Sequence, residues 1–209
     1  SSQQLQLALK ASTGAHTLTL TGAGAWQQWP LVLSAEQTST GLDGKSLTNS
    51  IKITGQLNLQ AERLPFALQA SAATLNQLDL QLQQLTIGLS GDLRQQKFQL
   101  QTNLQHPQLP AAQLQLSGTL AGTKLDLTQL QVNTLNGHIE ASASAELATG
   151  TLQGTIRATE LQSGLFWPDY PGTISGHSQF SAQLPTSATP QLWQVKVSDM
   201  ALDGEVRAL

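Results

Sequence analysis

The fold class is decided by the stretch Gln113-Leu114-Gln115-Leu116-Ser117-Gly118-Thr119-Leu120, in which polar and apolar side chains alternate. Successive side chains of a β-strand point to opposite faces, so this order places the leucines on one face and the polar residues on the other. Leucine and glutamine singly favour helices, but leucines two residues apart would be scattered around a helix. The pattern therefore predicts a strand with one apolar face. The same alternation recurs at residues 4–9, 17–20, 56–59, 78–82 and 125–127.

The stretch also contains a unit that repeats along the chain: an apolar residue, a small polar residue, glycine, a polar residue and an apolar residue. Its copies are spaced by roughly 20 to 35 residues, which is typical of stacked repeat architectures. Glycine within an alternating strand marks a bend, a bulge or a close backbone approach, so we expect a sheet that curls at repeated places. The repeated glycines are Gly22, Gly55, Gly91, Gly118, Gly137, Gly154, Gly176 and Gly204.

Composition excludes several classes of protein. Charged residues make up 11% of the chain and the net charge is −3, so there is no basic stripe that could neutralise a series of phosphates, and we expect no nucleic-acid partner. The absence of cysteine excludes disulfides and thiolate metal sites. No apolar run reaches the roughly 18 residues of a membrane span. Because residue 1 is serine with no signal peptide before it, we expect a processed or excised piece.

The 209 residues contain no Gly/Ser-rich linker and no shift in composition. We therefore predict one continuous element over residues 1–209, with no internal domain boundary. Short helical turns are expected at residues 161–165 and at residues 62–68. The longest loop is expected at residues 184–190, where two prolines interrupt the pattern.

The sequence offers little for catalysis. The four histidines, at positions 16, 106, 138 and 177, lack the spacing of a metal site, and the acidic residues form no recognisable glycosidase pair. A Gly-x-Ser-x-Gly nucleophile motif is also missing. We expect no enzyme, no metal and no cofactor, with a parallel β-helix hydrolase as the enzyme alternative. Trp26, Trp29, Trp167 and Trp193 fit either a recognition surface or plugs of the core and strand ends.

A family resemblance enters at Leu161-Gln162-Ser163-Gly164-Leu165-Phe166-Trp167-Pro168-Asp169-Tyr170-Pro171-Gly172-Thr173-Ile174-Ser175-Gly176. An apolar, proline-containing approach followed by Gly-x-Ile-x-Gly and an alternating strand resembles the AsmA-like TamB family, and the texture of Leu-Ser-Gly-x-Leu units is similar over most of the chain. The resemblance implies a long periplasmic protein anchored in the inner membrane, with strands stacked into a U-shaped β-taco sheet around a hydrophobic groove. It also implies partnership of the full-length protein with an outer-membrane TamA-like protein, and roles in outer-membrane protein assembly and in moving phospholipid.

An apolar strand face with few aromatic residues to cover it must fold against itself or meet an apolar ligand. We expect an acyl-chain groove, while ordinary core packing remains the alternative for any single leucine. The rival function is a structural or adhesive β-solenoid of a secreted bacterial protein. Unpaired edge strands also favour end-to-end self-association. The predicted groove lining is Leu57, Leu59, Leu78, Leu80, Leu82, Leu100, Leu114, Leu116, Leu125, Leu127, Ile139, Ile156, Ile174, Val195 and Val197.

Overall fold

The computed structural model describes residues 4–13, 16–40, 46–77, 79–185 and 194–206. Within these ranges it contains thirteen β-strands and two short 3-10 turns. The chain divides into two compact units, Ser1–Leu104 and Gln105–Leu209. The expectation of one continuous element over residues 1–209 stays a prediction.

Unit 1 is an antiparallel meander in which each strand pairs with the next along the chain from β1 to β6. Its strands are β1 (Gln4–Thr13), β2 (His16–Ala25), β3 (Trp29–Thr40), β4 (Ser46–Leu57), β5 (Phe66–Gln77), β6 (Leu80–Gly91) and most of β7 (Gln95–His106). A 3-10 turn, Trp26–Gln28, joins β2 to β3.

Unit 2 has the same topology, with antiparallel pairs between consecutive strands from β8 to β13. Its strands are β8 (Leu109–Ala121), β9 (Lys124–Thr134), β10 (Gly137–Glu146), β11 (Thr151–Gln162), β12 (Gly172–Gln183) and β13 (Gln194–Val206). The described residues include no α-helix. The predicted all-β class of repeated, stacked strands is therefore confirmed.

The two predicted helical turns have different outcomes. Residues 163–165 form a 3-10 turn between β11 and β12, as expected. The prediction of a helical turn at residues 62–68 is wrong, because β5 already begins at Phe66. The Leu64 N–H donates to the Ala61 carbonyl oxygen and closes a tight turn, in which Leu64 has a φ of 49°. The proline that follows disfavours helical geometry at Leu64. Only part of the predicted 184–190 loop, up to Pro185, lies within the described residues.

Cross-strand register aligns the apolar side chains of unit 1 into rows. One row contains one residue from each of β1 to β6, and every member is apolar. The adjacent row lies on the opposite face and is polar throughout. Each aligned pair contributes roughly 0.2–1 kcal/mol relative to a pair of alanines. The apolar row is Leu9, Leu20, Leu33, Ile53, Ala70 and Ile87; the polar row is Lys10, Thr19, Ser34, Lys52, Ser71 and Thr86.

Unit 2 repeats this arrangement across β8 to β13. A one-residue slip of any strand would move its leucines to the polar face, so these rows fix the register. The apolar row is Leu120, Leu125, Ala145, Leu152, Ala182 and Val195; the polar row is Thr119, Asp126, Ser144, Gln153, Ser181 and Lys196.

A β-bulge in β9 corrects a break in the alternation of its own sequence. Leu125 and Leu127 occupy odd positions, whereas Leu130 and Val132 occupy even ones, so a regular strand would place the two pairs on opposite faces. Thr128 is the extra residue between them, unmatched in β8 and in β10. The bulge therefore returns all four side chains to the apolar face.

The strands β11 and β13 contain the same device. β11 has one extra residue between Ala158 and Leu161, where Glu160 has a φ of 53°. β13 has one extra residue between Ser198 and Ala201, where Asp199 has a φ of 51°. In both strands the apolar side chains switch between even-numbered and odd-numbered positions at the bulge, as they do in β9. We call this switch a parity change.

The repeated glycines allow close approach more often than they mark bulges. A Cβ atom at Gly55 would overlap the carbonyl oxygen of Ala67, and one at Gly22 would overlap the indole ring of Trp29. Gly118 does lie beside the β9 bulge. The bulges of β11 and β13 have acidic residues in the left-handed region, Glu160 and Asp199, while the repeated glycines of these strands, Gly154 and Gly204, lie at close backbone approaches.

Trp29 connects strands that are not neighbours. Its side chain is 6% exposed and lies over Gly22 of β2. The indole N–H donates a hydrogen bond of 3.0 Å to the carbonyl oxygen of Leu5 in β1. A side chain from β3 thus crosses β2 and satisfies its polar atom on β1.

Deleting Thr128 should destabilise the chain far more than replacing it with alanine. The deletion removes the bulge and turns Leu125 and Leu127 toward the polar face, at an expected loss of roughly 2–3 kcal/mol in the free energy of unfolding. Thr128→Ala keeps the bulge and removes only the exposed hydrogen bonds of the Thr128 hydroxyl with the carbonyl oxygen and the hydroxyl of Ser117, an effect of about 1 kcal/mol. Urea unfolding followed by circular dichroism measures both. Equal losses in the free energy of unfolding would show that the bulge does not determine which side chains lie on the apolar face.

Candidate functional site

All the predicted lining residues of unit 2 lie on one face of its strands. Leu116 is opposite Leu130, Ile139 is opposite Val132, and Val197 is opposite Phe180. Since directly opposed residues point to the same side of a sheet, the pairings connect these positions into one surface. The predicted residues on this surface are Leu114, Leu116, Leu125, Leu127, Ile139, Ile156, Ile174, Val195 and Val197.

This apolar face remains accessible. Ile156 is 41% exposed, and Val195 and Val197 on β13 are 66% and 55% exposed. The other predicted members are half-buried. Among the described apolar side chains of unit 2, Ala145 is the one that is buried. The face is therefore a surface on which an apolar ligand could contact several strands at once.

In unit 1 a cleft of about 930 Å³ contains two of the predicted residues, Leu80 and Leu82. Its volume falls at the upper end of the range for small-molecule sites, roughly 300–1,000 Å³. Apolar side chains from six strands, β1 to β6, line it, with polar groups beside them. The apolar members are Ala11, Leu18, Ala35, Ile51, Leu75, Leu80 and Leu82; the polar neighbours include His16, Glu36, Gln37 and Asn49.

Asn49 connects the strands at this cleft. The described backbone pairs of β4 and β5 run from Leu57–Phe66 to Lys52–Ser71. Beyond them, the Asn49 amide donates to the Asn76 carbonyl oxygen at 2.9 Å and accepts from the Asn76 N–H at 2.7 Å. Both strands contribute lining residues at this end, with Ile51 from β4 and Leu75 from β5.

The remaining predicted lining residues of unit 1 are dispersed. Leu57 lies on the same face as Ile51 but at the other end of β4, opposite Trp29 and Phe66. Leu59 follows β4 in a loop, where its N–H donates to the Trp26 carbonyl oxygen. Leu100 is half-buried in β7. Leu78 lies outside the described residues. The lining role of all these residues stays a prediction.

The opposite face of unit 2 is polar. Glu140, Arg157 and His177 follow one another across β10, β11 and β12, and Lys124 forms an exposed ion pair of 3.3 Å with Asp126. Such exposed pairs contribute little to stability. Within the described ranges, no group of three or more histidine, aspartate or glutamate side chains is arranged to hold a metal.

Among the described residues, Asp92 is the one group with a displaced pKa, and it lies in a turn. The backbone N–H groups of Arg94 and Gln95 donate to the Asp92 carboxylate and lower the pKa of Asp92. These hydrogen bonds favour the charged form of the side chain. They order the connection between β6 and β7, and the turn contributes no residue to the unit 1 cleft.

The tryptophans divide between the two interpretations of the sequence. Trp29 is buried at the start of β3, whereas Trp167 is 56% exposed in the loop after β11. Trp26 is half-buried, and its Nε1 atom has no protein hydrogen-bond partner. Trp193 lies outside the described residues.

Comparison with known protein families matches the model described as "TamB, N-terminal domain" to residues 27–209. The chain belongs to the TamB family. This assignment confirms the resemblance found in the Pro171–Gly176 motif and the repeated strands, and the TamB domain indicates a periplasmic bacterial protein. Neither the curated proteins nor the solved structures contain a match.

Among the described residues of this TamB-family chain, no helix is long and apolar enough to cross a membrane.

Sequence reasoning missed part of the apolar surface of the TamB-family chain. Leu130 and Val132 join the face only because the Thr128 bulge restores their phase. Leu152 and Phe180 join it through pairing with Ala145 and Gly154. The alternating stretch 17–20 contained a signal for Leu18, since the leucines of that stretch share one face.

Two valines on this face provide a matched test of its accessibility. Val132 lies between Leu114 and Ile139, whereas Val197 is on the exposed strand β13. Val197→Thr should change the free energy of unfolding by less than about 0.5 kcal/mol. Val132→Thr introduces a hydroxyl between apolar neighbours and should cost about 1–2 kcal/mol. Urea unfolding of the two variants measures the difference. A large cost at Val197 would mean that another surface covers β13.

Proposed function

We propose that the chain is the periplasmic segment of a TamB-like protein whose apolar surface carries phospholipid acyl chains between the inner and outer membranes. The observation that carries the proposal is the register of unit 2. It aligns predicted groove residues from β8 to β13 on one accessible face and uses bulges to keep them in phase.

The repeated rows suit a mobile hydrocarbon ligand. Each methylene that leaves water for an apolar surface gains about 0.8 kcal/mol. Neighbouring strands are about 4.8 Å apart, so a chain lying across them meets a similar aliphatic side chain at each step. In unit 2 these side chains run from Leu120 through Leu125 and Leu152 to Val195. Similar binding at successive positions allows movement without one deep trap.

The cellular setting of the proposal follows from the family. A full-length protein anchored in the inner membrane would present this segment to the periplasm, and a TamA-like outer-membrane protein would be its partner. Outer-membrane protein assembly is the second role that we propose. No enzymatic step is needed, because lipid transfer along a surface makes and breaks no covalent bond. End-to-end pairing of exposed edge strands stays a prediction.

A structural or adhesive β-solenoid is the alternative function, and burial favours the conduit. A solenoid stalk requires a filled interior of large apolar side chains. Among the described residues, no large side chain is fully buried. The apolar side chains with the least exposure are mostly small: Trp29, Ala70, Ala72, Leu85 and Ala145.

Introducing a charge on the apolar face should remove bound lipid. We expect Leu80→Asp in the unit 1 cleft and Leu116→Asp on the unit 2 face each to reduce co-purified phospholipid at least about tenfold, equivalent to about 1.4 kcal/mol. A carboxylate there places a charge against hydrocarbon, which is strongly unfavourable. Native mass spectrometry of the purified chain measures the bound lipid.

The matched controls introduce the same charge on the polar face of the same strands. Ser90→Asp is the control in β6, and Gln115→Asp is the control in β8, where Gln115 is opposite Gln131. Both should retain lipid, and circular dichroism should report an unchanged strand content in all four variants. The groove role would be refuted if the leucine variants held as much lipid as their controls.

A further inference from the structure

The loop that joins β11 to β12 exposes large apolar side chains to solvent. Leu165, Trp167 and Tyr170 are 54–56% exposed, and Phe166 is 38% exposed. Isolated exposed apolar residues are ordinary on protein surfaces, but a contiguous cluster marks an interaction site. The proposed acyl-chain surface does not use these residues, because they lie outside the strands.

The loop is ordered by its own hydrogen bonds. Ser163 is 3% exposed, and its hydroxyl donates to the Tyr170 carbonyl oxygen at 2.7 Å. The Ser163 carbonyl oxygen accepts the N–H groups of Phe166 and Trp167, and the Tyr170 N–H donates to the Trp167 carbonyl oxygen at 2.9 Å. These hydrogen bonds fix the loop backbone that carries the exposed aromatic side chains. Little conformational entropy would therefore be lost when the loop binds.

The side chains are also arranged relative to each other. The rings of Phe166 and Trp167 meet edge to face, with centroids 4.8 Å apart and planes at 74°. Gly164 packs closely against Pro171, since a Cβ atom there would lie 3.1 Å from the Pro171 Cα. The 3-10 turn at Ser163–Leu165 thus closes the loop at its base and leaves the aromatic rings at its tip.

We propose that this loop, residues 165–170, docks onto the surface of a phospholipid bilayer. Tryptophan and tyrosine combine an apolar body with one polar atom, which is the character that places them at the boundary of hydrocarbon and water. Within residues 161–176 the only charged residue is Asp169. The attraction is therefore hydrophobic and requires no anionic lipid.

The size of the patch favours a bilayer over a protein partner. Aromatic side chains bury about 150–250 Å² each when fully covered, so the exposed parts of this cluster amount to roughly 300–400 Å² in total. A stable protein interface takes about 800 Å² from each partner. A loop that enters the lipid boundary needs no such additional area, because the solvent on the other side is itself apolar.

The position of the loop connects it to the apolar face of unit 2. Leu161 and Ile174 are paired directly below it and belong to that face. The backbone N–H of Gln162 donates to the Leu135 carbonyl oxygen in the β9–β10 turn. A bilayer in contact with the aromatic tip would thus lie beside the end of the acyl-chain surface.

Vesicle flotation of the 209-residue chain tests the proposal. Wild-type protein should float with phosphatidylcholine vesicles, and neither added phosphatidylglycerol nor high salt should change the bound fraction by more than about twofold, since the loop carries no cation. The double variant Trp167→Ser/Tyr170→Ser should lose at least tenfold in partition. Trp167→Phe should retain most of the binding.

Leucine variants provide a matched pair in the same unit. Leu165 in the loop and Leu147 in the β10–β11 turn have similar exposures, 54% and 51%. Leu165→Ser should lower partition severalfold, and Leu147→Ser should leave it unchanged. Lipids with brominated acyl chains should quench more fluorescence in wild type than in Trp167→Phe, which reports contact of Trp167 itself with the bilayer.

Absence of flotation, equal effects of the two leucine variants, equal quenching in wild type and Trp167→Phe, or dependence on phosphatidylglycerol would each overturn bilayer docking. The proposed conduit is tested separately, because lipid that co-purifies with the double variant should equal that of wild type by native mass spectrometry. If the double variant lost this co-purified lipid but still floated with vesicles as wild type does, bilayer docking would also be overturned. The loop would then belong to the acyl-chain groove.

Discussion

The structure depends on keeping the two-residue alternation in phase from strand to strand. A strand face is apolar only as long as an apolar residue returns at every second position. Neighbouring strands extend that face only when their registers agree, as Leu20, Leu33 and Ile53 do in unit 1. Each phase error would expose an apolar side chain on the polar face and bring a glutamine or threonine among the leucines. Pairing, bulges and the close approach at glycines all serve this one constraint.

The bulges in alternate strands show how the constraint tolerates an imperfect sequence. In β9, β11 and β13 the apolar positions change parity, and in each strand one extra residue absorbs the change. Glu160 and Asp199 do so in the left-handed region, which disfavours residues with a Cβ atom. Backbone strain at these points is accepted in exchange for a continuous apolar surface. Without the extra residue in β9, the apolar face of that strand would end after Leu127, and Leu130 and Val132 would lie on the polar face.

The sequence was sufficient to predict the strands, the apolar face and the 3-10 turn after Leu161, because these depend on local periodicity and on proline. The change from odd to even apolar positions between Leu127 and Leu130 does not show whether Thr128 or Gln129 is the extra residue, and only the pairing with the neighbouring strands identifies Thr128. The unit 1 cleft likewise depends on the Asn49–Asn76 connection between distant segments. Identical dipeptides also had different outcomes: Trp29-Pro30 enters a strand over Gly22, whereas Trp167-Pro168 lies in a loop without a strand neighbour to cover the ring.

The indole of Trp29 gives unit 1 a form of coupling that an ordinary meander lacks. In a stack of strands where each touches only the next, the terminal strand can fray independently, and stability is a sum of nearest-neighbour terms. Here β1 is connected to β3 as well as to β2 through the hydrogen bond at Leu5. Peeling β1 away would also uncover the ring that seals β2, so the outermost strands should open together as one cooperative segment. A side chain that spans two inter-strand spacings thus makes the strands at this edge unfold together in a single step instead of fraying one at a time.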